Sequence, residues 1–494
     1  MTVERFADNV GSIGSSLALV TPEVILVAGI VVVLLAGLFR ACKPVLSLIT
    51  IIIVALTLTL CWQQLSMINH TALFGGMLRH DTFGTYLKVL FDLATLLALW
   101  LSWANKKLTS RVSEYYTIIM GTLLGAHLLA MSVNFVMVFI SLELISLGSY
   151  VLTGYAFSRI GAEGSFKYFV FGSVASAIML YGFSMLYGIA GTLTFDTADF
   201  TTKLAAKSGP LMYWSSLMAL AGFLFKIAAA PMHPWAPDVY EAAPMPVVGY
   251  FSVVPKLAGL AVLIRFTEAL PESGADALLN WQNVLAAVAI FSITIGNFSA
   301  LWQKNPKRLM AYSSIAQTGF LLIGVVAVDN EGVRLALFYA TVYLLANFLV
   351  FIYLQFFESQ EINSLESFSG VGKSTLVQSI FLLVGLITLT GLPPTGGFTS
   401  KLFIFSALWE AYGASGKPIL LWLLIFGLLN TVVSLFYYIR IPYYAFIRPG
   451  SRSLDSNLFA IENLFGLVIV VVILGLFFNP GVLMGWINKI NFAL

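Results

Sequence analysis

The sequence predicts an all-α polytopic membrane protein, and two observations support this prediction. First, 59% of the 494 residues are hydrophobic and only 10% are charged, with a mean hydropathy of +0.92. A soluble domain has about 45–50% apolar and about 25% charged residues. Second, apolar segments of about 20 residues, the length that crosses the hydrocarbon core of a bilayer, recur along the whole chain. We therefore expect a single membrane domain, residues 1–494, in the lipid bilayer.

About fourteen segments meet this length criterion, and we number them as spans 1 to 14. They comprise residues 22–39, 44–65, 81–103, 116–132, 133–156, 164–192, 210–230, 244–267, 277–301, 308–328, 333–357, 375–409, 418–441 and 457–478. Spans 4 and 5 are separated only by Ser132–Asn134, and span 12 contains a break at Gly391–Gly397. We read no cleaved signal peptide in Met1–Thr21, because a basic segment followed by an apolar one and a small-residue cleavage site is missing.

The spans form two halves with the same pattern. Span 7 is interrupted near Pro231, and span 12 is interrupted at Pro393–Pro394. A five-helix repeat inserts upside down relative to its twin, and inverted repeats with discontinuous helices at matching positions are typical of transporters. The predicted division is helices 1–3 in 22–103, a first repeat in 116–267 (helices 4–8), a second repeat in 277–441 (helices 9–13) and helix 14 in 457–478.

Basic residues predict the orientation, because cytoplasmic loops are enriched in lysine and arginine. The odd-numbered loops hold 14 of these residues, and the opposite side, termini included, holds 8. This bias places the odd loops in the cytoplasm and both termini on the outer side.

Four charged residues inside the spans are the main candidates for a functional site: Glu143, Lys226, Lys256 and Lys401. A charge in hydrocarbon is costly, so it is expected to face a cavity or another helix and to mark an ion pathway. We interpret Glu143 as a carboxylate paired with Lys226; a protonated carboxyl bonded to a backbone carbonyl is the alternative. The alternatives for the lysines are snorkelling, for Lys226 and Lys256, and a helix-end position for Lys401.

Other polar residues allow more than one interpretation. His233 lies in the proline-rich break and could relay protons, or it could be a hydrogen-bonded loop histidine. Lys88 and Asp92 are four residues apart in span 3, which favours a local ion pair. A polar stripe in span 10 could hold water or form hydrogen bonds between helices. The stripe consists of Tyr312, Ser313, Ser314 and Gln317.

The sequence shows no recognisable redox cofactor site. The two cysteines, Cys42 and Cys61, have no CxxC spacing, and the four histidines form no metal-binding array. No GxGxxG motif follows a predicted strand. We therefore expect no cofactor in this chain.

The residues around the first break resemble those of the subunit N family of respiratory complex I, the proton-translocating NADH:quinone oxidoreductase. The matching run is Phe225-Lys226, then Pro231-Met232-His233-Pro234-Trp235-Ala236-Pro237-Asp238-Val239-Tyr240-Glu241-Ala242-Ala243-Pro244, with Val254-Pro255-Lys256 after it. The similarity extends over essentially the whole chain. One departure is Met232, at a place where the motif often has an aromatic residue.

The resemblance implies a role for each candidate residue. Glu143 matches the glutamate that pairs with the lysine of span 7, which is Lys226 here. Lys256 matches the lysine that links two half-channels, and Lys401 matches the lysine of the second half. His233 matches a histidine of the broken-helix motif. The implied mechanism is a lateral proton relay, Glu143–Lys226–Lys256–Lys401. Water must bridge it, because adjacent helix axes are about 8–10 Å apart.

The resemblance also implies partners. The chain would act as an antiporter-like subunit that moves protons while other subunits transfer electrons from NADH to quinone. FMN and iron–sulfur clusters are expected in those partner subunits, and antiporter-like subunit M and small subunit K are expected as neighbours. The implied location is the bacterial inner membrane, with both termini on the periplasmic side. We expect no nucleic-acid partner.

Two other functions remain open. A subunit of a Mrp-type cation/proton antiporter would share the glutamate of span 5 and the lysine of span 7. The PDVYE run with the following VPK, together with Lys401, favours subunit N. A passive scaffold is the other alternative, but four costly charges inside the membrane argue against it.

Overall fold

A computed structural model confirms the all-α polytopic fold class. It describes residues 14, 16–66, 70–105, 112–207, 209–271, 280–327, 330–450, 454 and 461–490. Within these ranges, ten helices are long and apolar enough to cross a membrane, and two shorter apolar helices, Thr21–Gly37 and Leu376–Thr390, accompany them. The protein is therefore a multi-pass membrane protein, while the number of fourteen spans stays a prediction. The predicted side of the two termini concerns residues outside the described ranges.

The helices of the described residues are numbered in chain order. Their bounds are α1 Thr21–Gly37, α2 Leu46–Gln64, α3 Thr82–Ala104, α4 Val112–Met131, α5 Phe135–Thr153, α6 Arg159–Ala190, α7 Ala198–Ala206, α8 Pro210–Lys226, α9 Trp235–Ala242, α10 Met245–Ala269, α11 Trp281–Leu301, α12 Pro306–Val326, α13 Asn330–Ser359, α14 Leu376–Thr390, α15 Gly396–Ser415, α16 Pro418–Tyr438, α17 Ile461–Phe478 and α18 Gly481–Ile487. A helical turn at Arg440–Pro442 follows α16 and leads into a π-helical turn at Tyr443–Ile447.

Side-chain caps explain where several helices begin. The Asp81 carboxylate accepts a hydrogen bond from Gly84 N (2.7 Å) at the start of α3. Asn134, Ser158 and Asn305 cap α5, α6 and α12 in the same way. Such caps satisfy backbone N–H groups that have no partner within the helix. A short hairpin, β1 Thr71–Leu73 with β2 Leu78–His80, lies between α2 and α3 and pairs antiparallel.

The chain divides into two compact units. The first comprises Met1–Ile227, Val253–Asp276 and Ile490–Leu494, and the second comprises Ala228–Ser252 and Ala277–Lys489. Helix α10 therefore begins in the second unit and continues in the first. The predicted repeat boundaries at 116–267 and 277–441 stay a prediction.

Within the first unit, glycines bring helices close together. A Cβ on Gly182 of α6 would lie 2.6 Å from the Ser215 carbonyl oxygen of α8. A Cβ on Gly222 of α8 would lie 2.5 Å from the Met179 sulfur of α6. Small residues allow this approach, which favours helix packing in lipid. Away from these contacts, α6 exposes a row of large apolar side chains, as expected of a lipid-facing helix. The row includes Phe166, Phe169, Phe171 and Val174.

Within the second unit, α12 and α13 are buried along most of their length. The outer helix α17 exposes apolar side chains such as Leu464, Leu467, Val468 and Val471. Helix α17 therefore presents an apolar surface, whereas α12 and α13 lie inside the second unit.

Candidate functional site: buried lysines at two helix breaks

Both predicted helix breaks are present. Helix α8 ends at Lys226, and α9 begins only at Trp235. Ala228 has φ +54°, in the left-handed region, and Pro231 and Pro234 lack an N–H, so the helix cannot continue. The freed N–H of Ala230 donates to the Ser292 hydroxyl at 2.8 Å. A polar side chain thus satisfies irregular backbone within an apolar protein.

Lys226 is buried and hydrogen-bonded inside the first unit. Its ammonium donates to the Ser146 hydroxyl of α5 at 3.1 Å, and the residue is 2% exposed. The side chain therefore does not snorkel to an interface. Ser146 lies one turn after Glu143, whose Oε1 accepts a hydrogen bond from the Ser176 hydroxyl at 2.5 Å. Glu143 and Ser146 thus form one polar strip of α5, and Lys226 reaches this strip from α8, with Ser146 as the direct partner of the lysine.

Lys256 lies where α8 crosses α10. It is 2% exposed, and Gly259 follows it by one turn. A Cβ on Gly259 would lie 2.8 Å from Ile227 Cγ2 and 3.3 Å from Lys226 Cβ. Glycine at this position therefore lets the Lys226 end of α8 approach α10 next to Lys256. Lys226 and Lys256 thus lie on the two helices that meet at this crossing, and a proton relay between them stays a prediction.

Lys401 occupies the second break. Helix α14 ends at Thr390, and α15 begins at Gly396. The Lys401 ammonium donates to the Thr390 carbonyl at 2.9 Å and lies 4.0 Å from the centre of the Phe320 ring. The last carbonyls of a helix lack intrahelical partners and carry partial negative charge, and an aromatic face also attracts a cation. Lys401 is thus held at a helix end, yet it is 4% exposed and deeply buried.

A polar network adjoins Lys401. Gln317 of α12 donates to the Leu389 carbonyl at 2.8 Å and to the Tyr438 hydroxyl at 3.2 Å, and its own carbonyl accepts from the Tyr339 hydroxyl. A small cavity lies here, with room for about one water molecule. It is lined by Gln317, Tyr339, Tyr343, Thr388, Gly397 and Ser400.

The network extends along α12 through hydroxyl groups. Ser314 contacts the Tyr343 hydroxyl at 2.8 Å and the Tyr240 hydroxyl of α9 at 3.1 Å. Ser313 is hydrogen-bonded to Tyr438. The predicted polar stripe of span 10 therefore makes contacts between helices and also borders the cavity. A hydroxyl group both donates and accepts hydrogen bonds, so this series of hydrogen-bonded hydroxyl groups can transfer protons.

Sequence reasoning missed the tyrosines of this network. The signal that could have found them is a polar row at a spacing of four residues in span 11, namely Tyr339, Tyr343 and Asn347. Residues four apart share a helix face. Aromatic residues are common in apolar helices, however, and this row alone does not show which helix it meets.

His233 is half-buried in the first break. Its Nδ1 is buried, and in the described part of the chain this atom has no hydrogen-bond partner. Its carbonyl accepts from Ala236 N at 3.0 Å, at the start of α9. A relay role for His233 stays a prediction.

The acidic residues of the PDVYE run have a structural use. Arg308, at the start of α12, donates to Asp238 and to Glu241, each at 2.8 Å. Asn305 adds a hydrogen bond to Glu241 at 3.2 Å. These contacts fasten α9 to the beginning of α12, so the most specific part of the motif positions the break.

Comparisons with known proteins identify the family of this chain. Residues 132–433 match the family model described as NADH:quinone oxidoreductase/Mrp antiporter, TM. The chain is 37% identical over 454 residues to "NADH-quinone oxidoreductase subunit N" of Chlorobium chlorochromatii, covering 89% of this chain and 87% of that protein. The chain belongs to the subunit N family of NADH-quinone oxidoreductase.

Solved structures extend the comparison for this family member. A chain of respiratory complex I from Thermus thermophilus has a TM-score of 0.79 and 27% identity, covering 95% of this chain and 100% of that one. A chain of the Mrp complex from Dietzia has a TM-score of 0.80 but 18% identity, with 94% and 96% covered. The Mrp likeness shows a shared fold alone, whereas the sequence relatives point to subunit N.

Proposed function

We propose that this chain is an antiporter-like membrane-arm subunit of complex I that translocates protons. The observation that carries the proposal is the burial of Lys226, Lys256 and Lys401, each at or beside a helix break or crossing. Buried lysines are costly and are retained where charge must move. The relatives named as NADH-quinone oxidoreductase subunits supply the coupled reaction.

The first step pairs Glu143 with Lys226. A nearby carboxylate favours the charged form of a buried lysine, and burial favours the neutral form. Moving one charge through about 150–180 mV requires roughly 3–4 kcal/mol. An unpaired buried charge costs several kcal/mol, roughly the same amount. Protonation of Glu143 can therefore release the Lys226 proton toward Lys256 through Ser146 and water.

The second half of the relay ends at Lys401. The hydroxyl network of Tyr240, Ser314 and Tyr343, and the water-sized cavity beside Gln317, supply groups that bind and hand on a proton. Lys401 can receive the proton because the end of α14 and the Phe320 ring favour its charged form. We propose that Lys256 connects the two halves and that His233 takes part beside the first break.

Electron transfer belongs to partner subunits in this proposal. FMN and iron–sulfur clusters would reside there, and this chain would contain no redox site. Subunits M and K would be its neighbours in a bacterial inner membrane, with both termini on the periplasmic side. The enzyme activity is that of the whole complex.

Purification of the tagged chain from native membranes tests this function against the Mrp alternative. We expect flavin, iron–sulfur clusters and NADH:quinone activity to co-purify with it, and the complex to acidify proteoliposomes when NADH is added. Membranes that carry the untagged chain are the control. Cation/proton exchange by a complex without redox cofactors would contradict the proposal and favour the Mrp-type function.

A further inference from the structure

A buried cluster of four titratable residues lies outside the lysine relay. Glu23 of α1 accepts from the Lys88 ammonium of α3 at 3.0 Å. His127 of α4 places Nδ1 3.1 Å from Glu23 Oε1 and Nε2 3.1 Å from Asp92 Oδ1. All four residues are at most 4% exposed. Lys88 and Asp92 therefore have partners on other helices, Glu23 of α1 and His127 of α4, and the predicted local pair between them stays a prediction.

The two nitrogens of His127 determine how many protons the cluster holds. A neutral imidazole has one N–H, whereas carboxylate oxygens only accept hydrogen bonds. Both ring nitrogens face carboxylate oxygens, so two N–H groups satisfy this geometry. The arrangement fits an imidazolium held between Glu23 and Asp92.

The charge balance leads to the same result. Glu23 and Asp92 carry two negative charges and Lys88 one positive charge, so a protonated His127 makes the cluster neutral. Burying an unbalanced charge is strongly unfavourable. The remaining titratable groups nearby do not replace this proton. Cys61 of α2 is an ordinary neutral thiol near pH 7, and burial lowers the pKa of His80 to about 4.

Neighbouring charges beside the hairpin are balanced among themselves. Asp81 is paired with Arg265 and with Arg79, and Arg79 is also paired with Asp196. Thr57 of α2 donates to Asp92 Oδ1 at 3.2 Å and carries no charge. The net charge of the cluster must therefore be neutralised by its own four residues.

Two buried carboxylate oxygens of the cluster can still accept a hydrogen bond or a proton. In the described part of the chain, Glu23 Oε2 and Asp92 Oδ2 have no hydrogen-bond partner. An acceptor oxygen of this kind can take a proton directly when His127 loses its own.

A metal ion is the alternative occupant of part of this cluster. The possible ligand atoms of Cys61, Asp92 and His127 lie within 4.8 Å of one another. The Lys88 ammonium beside the same cluster disfavours a divalent cation there.

The cluster lies near one end of its helices. Glu23 is in the first turn of α1, Lys88 is about 9 Å along α3 and His127 about 6 Å before the end of α4, at 1.5 Å per residue. We propose that Glu23, Lys88, Asp92 and His127 form a proton-binding site, which holds one proton as the His127 imidazolium between the two carboxylates. This inference does not depend on the proposed proton relay.

Nitrogen NMR of the full chain in lipid bilayers tests the proposal. The chain has four histidines, so ¹⁵N-histidine labelling yields few signals, and His127→Gln assigns the relevant one. We expect both ring nitrogens of His127 to be protonated at pH 7. Asp92→Asn removes one negative charge, so the ring should become neutral at the same pH, while the other three histidine signals stay in place.

Glu23→Gln is the second variant, with the same expected result, in case Asp92→Asn disturbs folding. Asp199→Asn, at an exposed ion pair with Lys203, is the matched control and should change nothing at His127. A neutral His127 ring in the unmodified chain, a ring state unaffected by both variants, or the signature of a metal-bound nitrogen would each overturn the proposal.

Discussion

At the scale of single residues, Lys226 and Lys401 both lie at an interrupted helix but have different partners. Lys226 is the last residue of α8 and donates to the Ser146 hydroxyl of α5, whereas the Lys401 ammonium reaches the final carbonyl of α14. The negative end of α14 stabilises a charge at Lys401, an effect worth about 0.3–1 kcal/mol at exposed sites and up to about 2 kcal/mol when partly buried. The sequence was enough to identify these lysines as candidate functional residues, because charged residues are rare in apolar spans. It did not predict Ser146 or Ser176 as partners, because contacts between distant helices leave no local pattern.

Asp81→Asn is expected to destabilise the chain strongly near neutral pH. Asp81 and Arg265 form two hydrogen bonds of 2.7 Å, and both side chains are 1% exposed. Asparagine still caps Gly84 but removes the hydrogen-bonded counter-charge of the buried Arg265, and breaking a buried pair costs about 3–5 kcal/mol. The free energy of unfolding of the full chain in detergent micelles measures the loss.

The same pair predicts a pH dependence. Burial alone would raise the pKa of the Asp81 carboxyl, but Arg265 and then Arg79 hold this pKa well below its usual range. The stabilisation is therefore complete above the ordinary carboxyl pKa of about 4, and it is lost only as the pH falls below that value. The difference between wild type and Asp81→Asn should shrink in acid. The exposed pair of Asp199 offers the control, since Asp199→Asn should cost at most about 0.5 kcal/mol. A difference of that size for Asp81→Asn would contradict the argument.

At the scale of elements, the two helix breaks show what sequence reasoning can reach. Prolines and glycines predicted both interruptions, because proline cannot continue a helix and glycine allows close backbone approach. The way each break is held in place was not predictable. Ser292 and Arg308 meet the first break from α11 and α12, and those contacts depend on how the helices pack.

Gly397→Ala should destabilise the second break. A Cβ at Gly397 would lie 1.8 Å from the Thr388 carbonyl oxygen, a backbone atom that cannot move aside. Overpacking of this kind costs about 1–3 kcal/mol. The matched control is Gly413→Ala in the same helix, where a Cβ would meet nothing within 4 Å and alanine should add about 0.5–1 kcal/mol. Thermal unfolding of the two variants should therefore shift in opposite directions, and equal shifts would refute this account.

Arg308→Met should loosen α9 without unfolding the protein. It removes the ion pairs to Asp238 and Glu241, which are partly exposed and contribute about 0.2–1 kcal/mol each. Amide exchange in Trp235–Ala242 should accelerate by about twofold to about thirtyfold, because about 1.4 kcal/mol corresponds to a factor of ten. Lys203→Met, at an exposed pair elsewhere, should leave this exchange unchanged. Unaltered exchange in α9 after Arg308→Met would show that other contacts hold it.

At the scale of the whole molecule, composition and the length of apolar segments were enough to predict the fold class. The PDVYE run was enough to indicate the family. The division into two compact units, with α10 belonging partly to each, was not visible in the sequence, where span 8 reads as an ordinary member of the first repeat. Hydropathy reports burial along a helix, but it does not report which other helices surround it. The proton-binding cluster of α1, α3 and α4 remained hidden for the same reason.

The proton-to-electron ratio of the assembled complex containing Lys226→Ala tests the central claim most directly. The measurement compares NADH-driven proton movement with NADH oxidation in proteoliposomes, and Lys203→Ala, which removes an exposed lysine, serves as the control. The relay predicts that Lys226→Ala lowers the ratio in a complex that still assembles, whereas Lys203→Ala leaves it unchanged. A wild-type ratio with Lys226→Ala would contradict the relay. It would favour the alternative that the chain is a passive scaffold.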